Sequence, residues 1–203
     1  MESGIVHENY HRAVLLKESV DALNIQPDGI YVDVTMGAAG HTNEILSRLT
    51  TGKLYSFDQD RDAWKNAPVD PKFTLIKENF GDAKNWLRFH GVKKINGLLA
   101  DLGVSSHQFD TADRGFSFRF DGPLDMRMNH QSSLTAAKVV NEYDVDALIK
   151  IFRVYGEVEK PHVAAHKLVA ARPIRTTHQL ICALVGNDDW KEHHQFLAKV
   201  FQS

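Results

Sequence analysis

The stretch "GIYVDVTMGAAGHTNEIL", residues 29–46, decides the fold. Ile30-Tyr31-Val32-Asp33-Val34 is apolar, β-branched and aromatic, which is the composition of a strand. The small residues Gly37-Ala38-Ala39-Gly40 follow, and over 42–49 Ile45, Leu46 and Leu49 fall on one side of a helix. A strand, a tight small-residue turn and a helix start bring backbone close to a ligand and offer it unpaired N–H groups. Pro27-Asp28-Gly29 marks a turn before the strand.

The same alternation extends outward. Residues 12–24 read as an amphipathic helix, with Val14, Leu15, Val20 and Leu23 sharing a face. Further strands are expected at 54–57, 73–76 and 95–100, and a helix at 81–90, stopped by Gly91. Strands separated by helices imply an α/β fold with a parallel sheet covered on both faces. Such sheets bind ligands at the carboxyl ends of their strands, and Asp33, Asp58 and Asp101 fall there.

Asp58 lies 21 residues after Gly37, where a carboxylate can accept both hydroxyls of a ribose. The dinucleotide fingerprint wants glycines at positions one, three and six, and here these are Gly37, Ala39 and Thr42. No Gly-Lys-Ser/Thr follows Gly40, so a Walker loop is absent. A nucleotide-dependent oxidoreductase is therefore disfavoured. S-adenosylmethionine fits better, with its ribose at Asp58 and its adenine stacked near Phe80, and it needs no pyrophosphate cradle. Asp101, in "LLADLGVSSHQFD", is either a strand-terminal turn cap or a carboxylate beside the reactive end of that ligand.

Beyond residue 107 the pattern changes. Residues 109–130, "FDTADRGFSFRFDGPLDMRMNH", mix arginine, aspartate and aromatic residues. Helices follow, one capped by Asp144 and ended by Gly156, another capped by Thr176 or Thr177 and ended by Gly186. The formal charge of the 203 residues is −2, so nucleic-acid contact must come from a local patch. Residues 160–178, with Lys160, Lys167, Arg172 and Arg175, three histidines and no acid, are the candidate. Eleven histidines without C-x-x-C or H-E-x-x-H spacing give no metal site. The single Cys182 rules out an intrachain disulfide. With no apolar signal-like start and no run of about 18 apolar residues, the chain reads as cytoplasmic, with no membrane partner.

"DLGVSSHQFD" followed by "RGFSFRFDGPLDMRM" resembles the signature of the bacterial methyltransferases that modify the exocyclic N4 of a cytosine in 16S ribosomal RNA. "YHRAVLLKESVDALNIQPDGIYVDVT", "YGE" and "RPIRTTHQL" resemble the same family in the same order, from about Tyr10 to the chain's last residues. The resemblance implies a Rossmann-like class I methyltransferase fold with an inserted helical domain, and S-adenosylmethionine as methyl donor. It implies donor contacts at Ala39, Gly40, His41, Asp58, Phe80, Asp101 and Gln108, of which His41 and Gln108 come from resemblance alone. Asp101 is the candidate proton acceptor, and segment 109–130 a candidate wall of the base pocket. The expected partner is small-subunit ribosomal RNA or the small ribosomal subunit. The rival reading is a non-catalytic RNA-binding or assembly protein that retains the first part of the fold.

The expected division is 1–107 for the first part of the methyltransferase domain, 108–197 for the helical RNA-recognition insertion, and 198–203 for the start of the second part. Where the family has a glycine-rich loop ending in Gly-His, "GAAGH" carries two alanines, whose methyls either crowd the donor or are tolerated at negative φ. Pro161 and His166 stand where the family has a regular, arginine-containing helix. The chain ends at "FLAKVFQS", where the family continues. A sheet incomplete at its C-terminal end would leave a strand edge open. The expectation is a homodimer across that edge, joined by the apolar tail, with weak or absent methyl transfer.

Overall fold

Four short strands, β1 (Ile30–Asp33), β2 (Lys53–Phe57), β3 (Phe73–Ile76) and β4 (Gly97–Leu99), pair in parallel in the order β3-β2-β1-β4. They belong to the first of two compact units, divided at Gly103, in a computed structural model that describes residues 13–186 and 190–203. The side chains of β1 alternate between the two faces of the sheet. Tyr31 packs with Val20 of α1 (Leu16–Ala22), Ile45 and Leu46 of α2 (Gly40–Arg48), Leu54 and Leu99. Val32 faces the other way, with Phe57, Ile76 and the apolar side of α4 (Ala83–Phe89). Between β2 and β3 lies the single turn of α3 (Arg61–Trp64). Burial on both faces is what the parallel pairing requires, and the α/β expectation holds.

Local chemistry explains where elements stop short of expectation. The first helix begins only at Leu16, because Leu15 takes a left-handed conformation (φ 50°), and Val14 and Leu15 are exposed rather than core-facing. Residue 12, and residues 10–12 of the resembling N-terminal stretch, lie outside the described residues. β4 is shorter than 95–100 because Asn96 pairs differently. Its side-chain Oδ1 accepts from the Ile30 N–H (2.8 Å) while its own N–H donates to the Ile30 carbonyl (2.7 Å). α4 is preceded by a 3-10 turn, Phe80–Asp82, capped by Asn79, and ends at Gly91, whose φ of 75° lets the chain reverse.

The second unit is helical. It comprises α5 (Ser106–Asp110), α6 (Ala136–Glu142), α7 (Val145–Val154), α8 (Pro161–Ala171), α9 (Thr177–Val185) and α10 (His194–Gln202). Asp144 accepts from the Ala147 N–H (2.7 Å) and Thr176 from the Gln179 N–H (3.2 Å), the two caps expected. Leu148, Phe152, Leu168, Leu180 and Leu184 form one core with Leu197 and Val200 of α10. The "FLAKVF" tail is therefore packed inside this unit, with Leu197 and Val200 buried and Phe196 and Phe201 half-buried against the same core. It is not a free apolar surface, which corrects its expected part in a dimer contact.

The irregular stretch 111–135 is held by polar bonds. Asp125 takes Arg127 in a bidentate pair (2.9 and 2.7 Å), and Arg127 also donates to the carbonyls of His130 (3.1 Å) and Ser132 (2.8 Å). Burial pushes the Asp125 carboxyl up, but the Arg127 hydrogen bonds outweigh it and hold the group below the usual carboxylate range. No described helix is long and apolar enough to cross a membrane.

Candidate functional site

The carboxyl ends of the strands gather the polar groups of the first unit. At the end of β1, Asp33 is fully buried. Its Oδ1 accepts from the Thr35 N–H (3.1 Å) and its Oδ2 from the Thr42 hydroxyl (2.7 Å), which also contacts Ser56 Oγ (3.1 Å). Burial pushes the Asp33 carboxyl above its ordinary value, against the pull of the Thr42 and Thr35 bonds. Asp33 thus ties the strand end to the first turn of α2, and its full burial keeps it from solvent and from a ligand entering from solvent.

The small-residue loop turns between them. Gly37 has φ 50°, a conformation glycine adopts without strain. Ala38 is exposed and at negative φ, as its methyl requires, but Ala39 is not: it sits at φ 62°, ψ 21°, fully buried, as the residue preceding α2. Of the two alternatives, tolerance at negative φ therefore does not apply to Ala39, where a left-handed non-glycine residue costs about 1–2 kcal/mol. Gly40 opens α2, and a Cβ there would lie 2.9 Å from the Ala13 methyl. The N–H groups of Gly40, His41 and Thr42 precede the first helical bond, from Asn43 to the Ala39 carbonyl (2.9 Å). They form the positive end of the helix.

Asp58 follows β2 and clasps the loop. Its Oδ2 accepts from the Gly37 N–H (2.8 Å) and its Oδ1 from the Asp60 N–H (2.8 Å). Its carbonyl accepts from the Trp64 indole (2.9 Å), and Asn66 donates to the Gly37 carbonyl (3.0 Å). Burial pushes the Asp58 carboxyl up despite those two backbone bonds. A carboxylate has about four acceptor positions, so two remain for ligand hydroxyls.

Phe80 is 42% exposed, an aromatic face presented beyond β3 rather than core packing. Its turn is fixed by Asn79, which accepts from the Gly81 N–H (2.7 Å) and donates to Gln59 Oε1 (3.0 Å). Past β4, the Asp101 N–H donates to Thr35 Oγ1 (2.8 Å), while the carboxylate is 54% exposed and 4.0 Å from His41 Nδ1. The His41 ring itself is buried.

Six of the sequence-derived residues, Ala39, Gly40, His41, Asp58, Phe80 and Asp101, thus lie at one end of one sheet. Gln108 belongs to the helical unit. It is buried in α5, where its Oε1 accepts from the Ser105 N–H (2.9 Å) and its own N–H donates to Ser105 Oγ (3.2 Å). Ser-x-x-Gln is the sequence mark of such a capping box, so this role was legible and went unread. Thr35, Thr42 and Asn66 were also missed. Each acts through one hydrogen bond to a residue distant in sequence, and no local pattern announces it.

In the basic stretch, Arg172 is committed internally. Its Nε donates to the Val140 carbonyl (2.8 Å) and its Nη2 to the Tyr143 carbonyl, closing the C-terminus of α6. Lys167 Nζ donates to the Leu184 carbonyl (2.6 Å). The guanidinium of Arg172 is therefore a helix cap rather than a free phosphate ligand, a correction to the sequence reading.

Residues 8–203 match the family described as the MraW methylase family. The chain is 53% identical over 193 residues to ribosomal RNA small subunit methyltransferase H of Flavobacterium psychrophilum, a match covering 93% of this chain and 66% of that protein. It is 52% identical over 201 residues to the protein of the same name from Bacteroides thetaiotaomicron, covering 96% of this chain and 65% of that one. The chain spans about two thirds of the length of the curated relatives it matches. With a parallel α/β sheet, the small-residue loop and the acidic strand ends in place, the chain belongs to the MraW methylase family.

Proposed function

We propose that this protein binds S-adenosylmethionine at the carboxyl ends of β1, β2 and β4 and methylates the N4 amino group of a cytosine in small-subunit ribosomal RNA. The observation that carries the reading is the convergence of three ligand-ready groups on one sheet end. These are the Gly37–Gly40 backbone, the two open acceptor positions of Asp58, and the exposed ring of Phe80. Their chemistry fits the donor: Asp58 for ribose hydroxyls, Phe80 for the adenine face, and the helix start beside Ala39, Gly40 and His41. When bound, the donor supplies an electrophilic methyl group on a sulfonium. The resemblance also assigns a donor contact to Gln108, which caps the start of α5 through Ser105.

A cytosine amino group is a weak nucleophile because its lone pair is delocalised into the ring. The protein must hold that nitrogen in line with the methyl group, and positioning of this kind supplies about 7–11 kcal/mol. Asp101 is half exposed at the strand end, and in this reading it accepts the proton lost as the N–C bond forms, worth a factor of about 10²–10⁴. The target base must leave its stack to reach such a site. The division at 107 and 197, with the helical part reading RNA and 198–203 leading into the second part, is part of the same proposal.

The edge of β4 supports a finer reading, association with a second copy. Among the described residues β4 pairs only with β1, and Leu98 is 48% exposed beside that edge. Light scattering that returned a monomer at micromolar concentration would remove it. For the activity, the chain is incubated with small ribosomal subunits and donor carrying a labelled methyl group. Label on a cytosine N4 is expected. Donor binding without label in the RNA would favour the non-catalytic RNA-binding reading.

A further inference from the structure

The resemblance puts His41 against the donor, yet its side chain is 5% exposed and enclosed by protein. Its Nδ1 lies 4.0 Å from Asp101 Oδ2, and its Nε2 is buried with no hydrogen-bond partner among the described residues. We infer that His41 is a positioning residue for Asp101: the ring carries its hydrogen on Nδ1 and donates it to the Asp101 carboxylate. This rests on the reading of Asp101 as the proton acceptor.

The two ring nitrogens decide the matter. A neutral imidazole has one N–H. Placed on Nε2, that hydrogen becomes a buried donor without an acceptor, and the bare Nδ1 lone pair faces a carboxylate. Placed on Nδ1, the donor meets the carboxylate, and only an acceptor is left unmatched at Nε2, the less costly omission in protein interiors. Asp33 is the other acid facing the ring, but among the described residues the ion pair of His41 within 4.0 Å is with Asp101, while the Asp33 oxygens are turned to the Thr35 N–H and the Thr42 hydroxyl. Among the described residues Asp101 is held through its backbone, by Thr35 Oγ1, and its carboxylate is half exposed. A small rotation about its side-chain bonds closes 4.0 Å to a hydrogen bond. One oxygen is then fixed by His41, and the other stays open to take a proton from the substrate amino group. His41 touches no reacting atom in this arrangement and acts through Asp101.

The test is the tautomer of His41 in the whole chain, labelled with ¹⁵N at histidine and assigned through the backbone. Two-bond ¹H–¹⁵N correlations are recorded at about pH 8, above the ordinary imidazole range. Hydrogen on Nδ1 is expected, with its nitrogen shift moving toward a two-tautomer average in Asp101→Ala. That variant alters an exposed side chain and leaves the core intact. A bare Nδ1 in the unmodified protein overturns the inference, and so does an Nδ1 shift that Asp101→Ala leaves in place. Titrating the same sample with S-adenosylmethionine keeps the two failures apart. Absence of binding refutes the donor-site reading, whereas binding with the wrong tautomer refutes only the role of His41.

Discussion

Replacing Arg172 with methionine preserves most of the side chain's length and apolar bulk and removes its guanidinium. The loss falls on α6, whose C-terminal carbonyls at Val140 and Tyr143 accept from Arg172 Nε and Nη2. A hydrogen bond from a charged group is worth about 1.5–3 kcal/mol, and a cation at a helix C-terminus adds about 0.3–1 kcal/mol. Arg172 is only half-buried, so water partly replaces the lost donors, and the expected cost is about 2–3 kcal/mol. For a chain of this length that lowers Tm by about 5–10 °C. Arg175→Met is the control: its side chain is exposed, and Tm should stay within about 1 °C of the parent. If the basic stretch contacts RNA, Arg175→Met lowers the slope of log K against log salt by about 0.7–0.9, while folded Arg172→Met leaves it unchanged. Thermal melts by circular dichroism, followed by RNA binding across a salt series, read both. An Arg172→Met protein that melts with the parent yet shows a reduced salt slope would refute the capping account.

Two further substitutions test the site's internal energetics. Ala39→Gly relieves the left-handed strain of about 1–2 kcal/mol but removes a buried methyl and adds unfolded-state freedom, together about 1.5 kcal/mol, so chemical denaturation should return a change within about 0.5 kcal/mol of zero. Ala165→Gly, equally buried but inside α8, lacks the relief and should cost about 2 kcal/mol; equal losses at the two positions would mean that Ala39 is unstrained. Asp33 holds its proton more tightly folded than unfolded, so its contribution is most favourable at low pH and is lost as pH rises from the ordinary value of 3.8 through the raised one. Asp33→Asn, neutral throughout, should therefore gain in stability relative to the parent as pH rises from about 4 to about 7, and a relative loss over that range would contradict the buried-carboxyl assignment.

What the sequence disclosed was whatever depends on neighbours along the chain. The strands at β1, β2 and β3 announce themselves by apolar and β-branched runs. Asp58 is found by its place after β2, and the helices α7 and α9 by Asp144 and Thr176 at their starts. The conformation of Ala39 was hidden, because small residues tolerate both signs of φ in composition though not in energy. Arg172 looked like a phosphate ligand because its true partners, Val140 and Tyr143, lie about thirty residues upstream. His41 stands at a helix start, where exposure is the usual expectation, and only the packing of the first unit buries its ring. The pairing of Asp33 with Thr42 likewise appears once α2 folds back on β1.

Calorimetric titration of the chain with S-adenosylmethionine tests the central claim most directly, since it asks whether the carboxyl ends of this sheet hold the donor through Asp58. One-to-one binding is expected, weakened about 10- to 100-fold in Asp58→Ala, which corresponds to loss of a charge-assisted hydrogen bond. Asp33→Asn, whose carboxylate is already satisfied internally, is expected to bind within about threefold of the parent. No binding by a folded parent chain, or an Asp58→Ala protein that binds as tightly as the parent, would contradict the account.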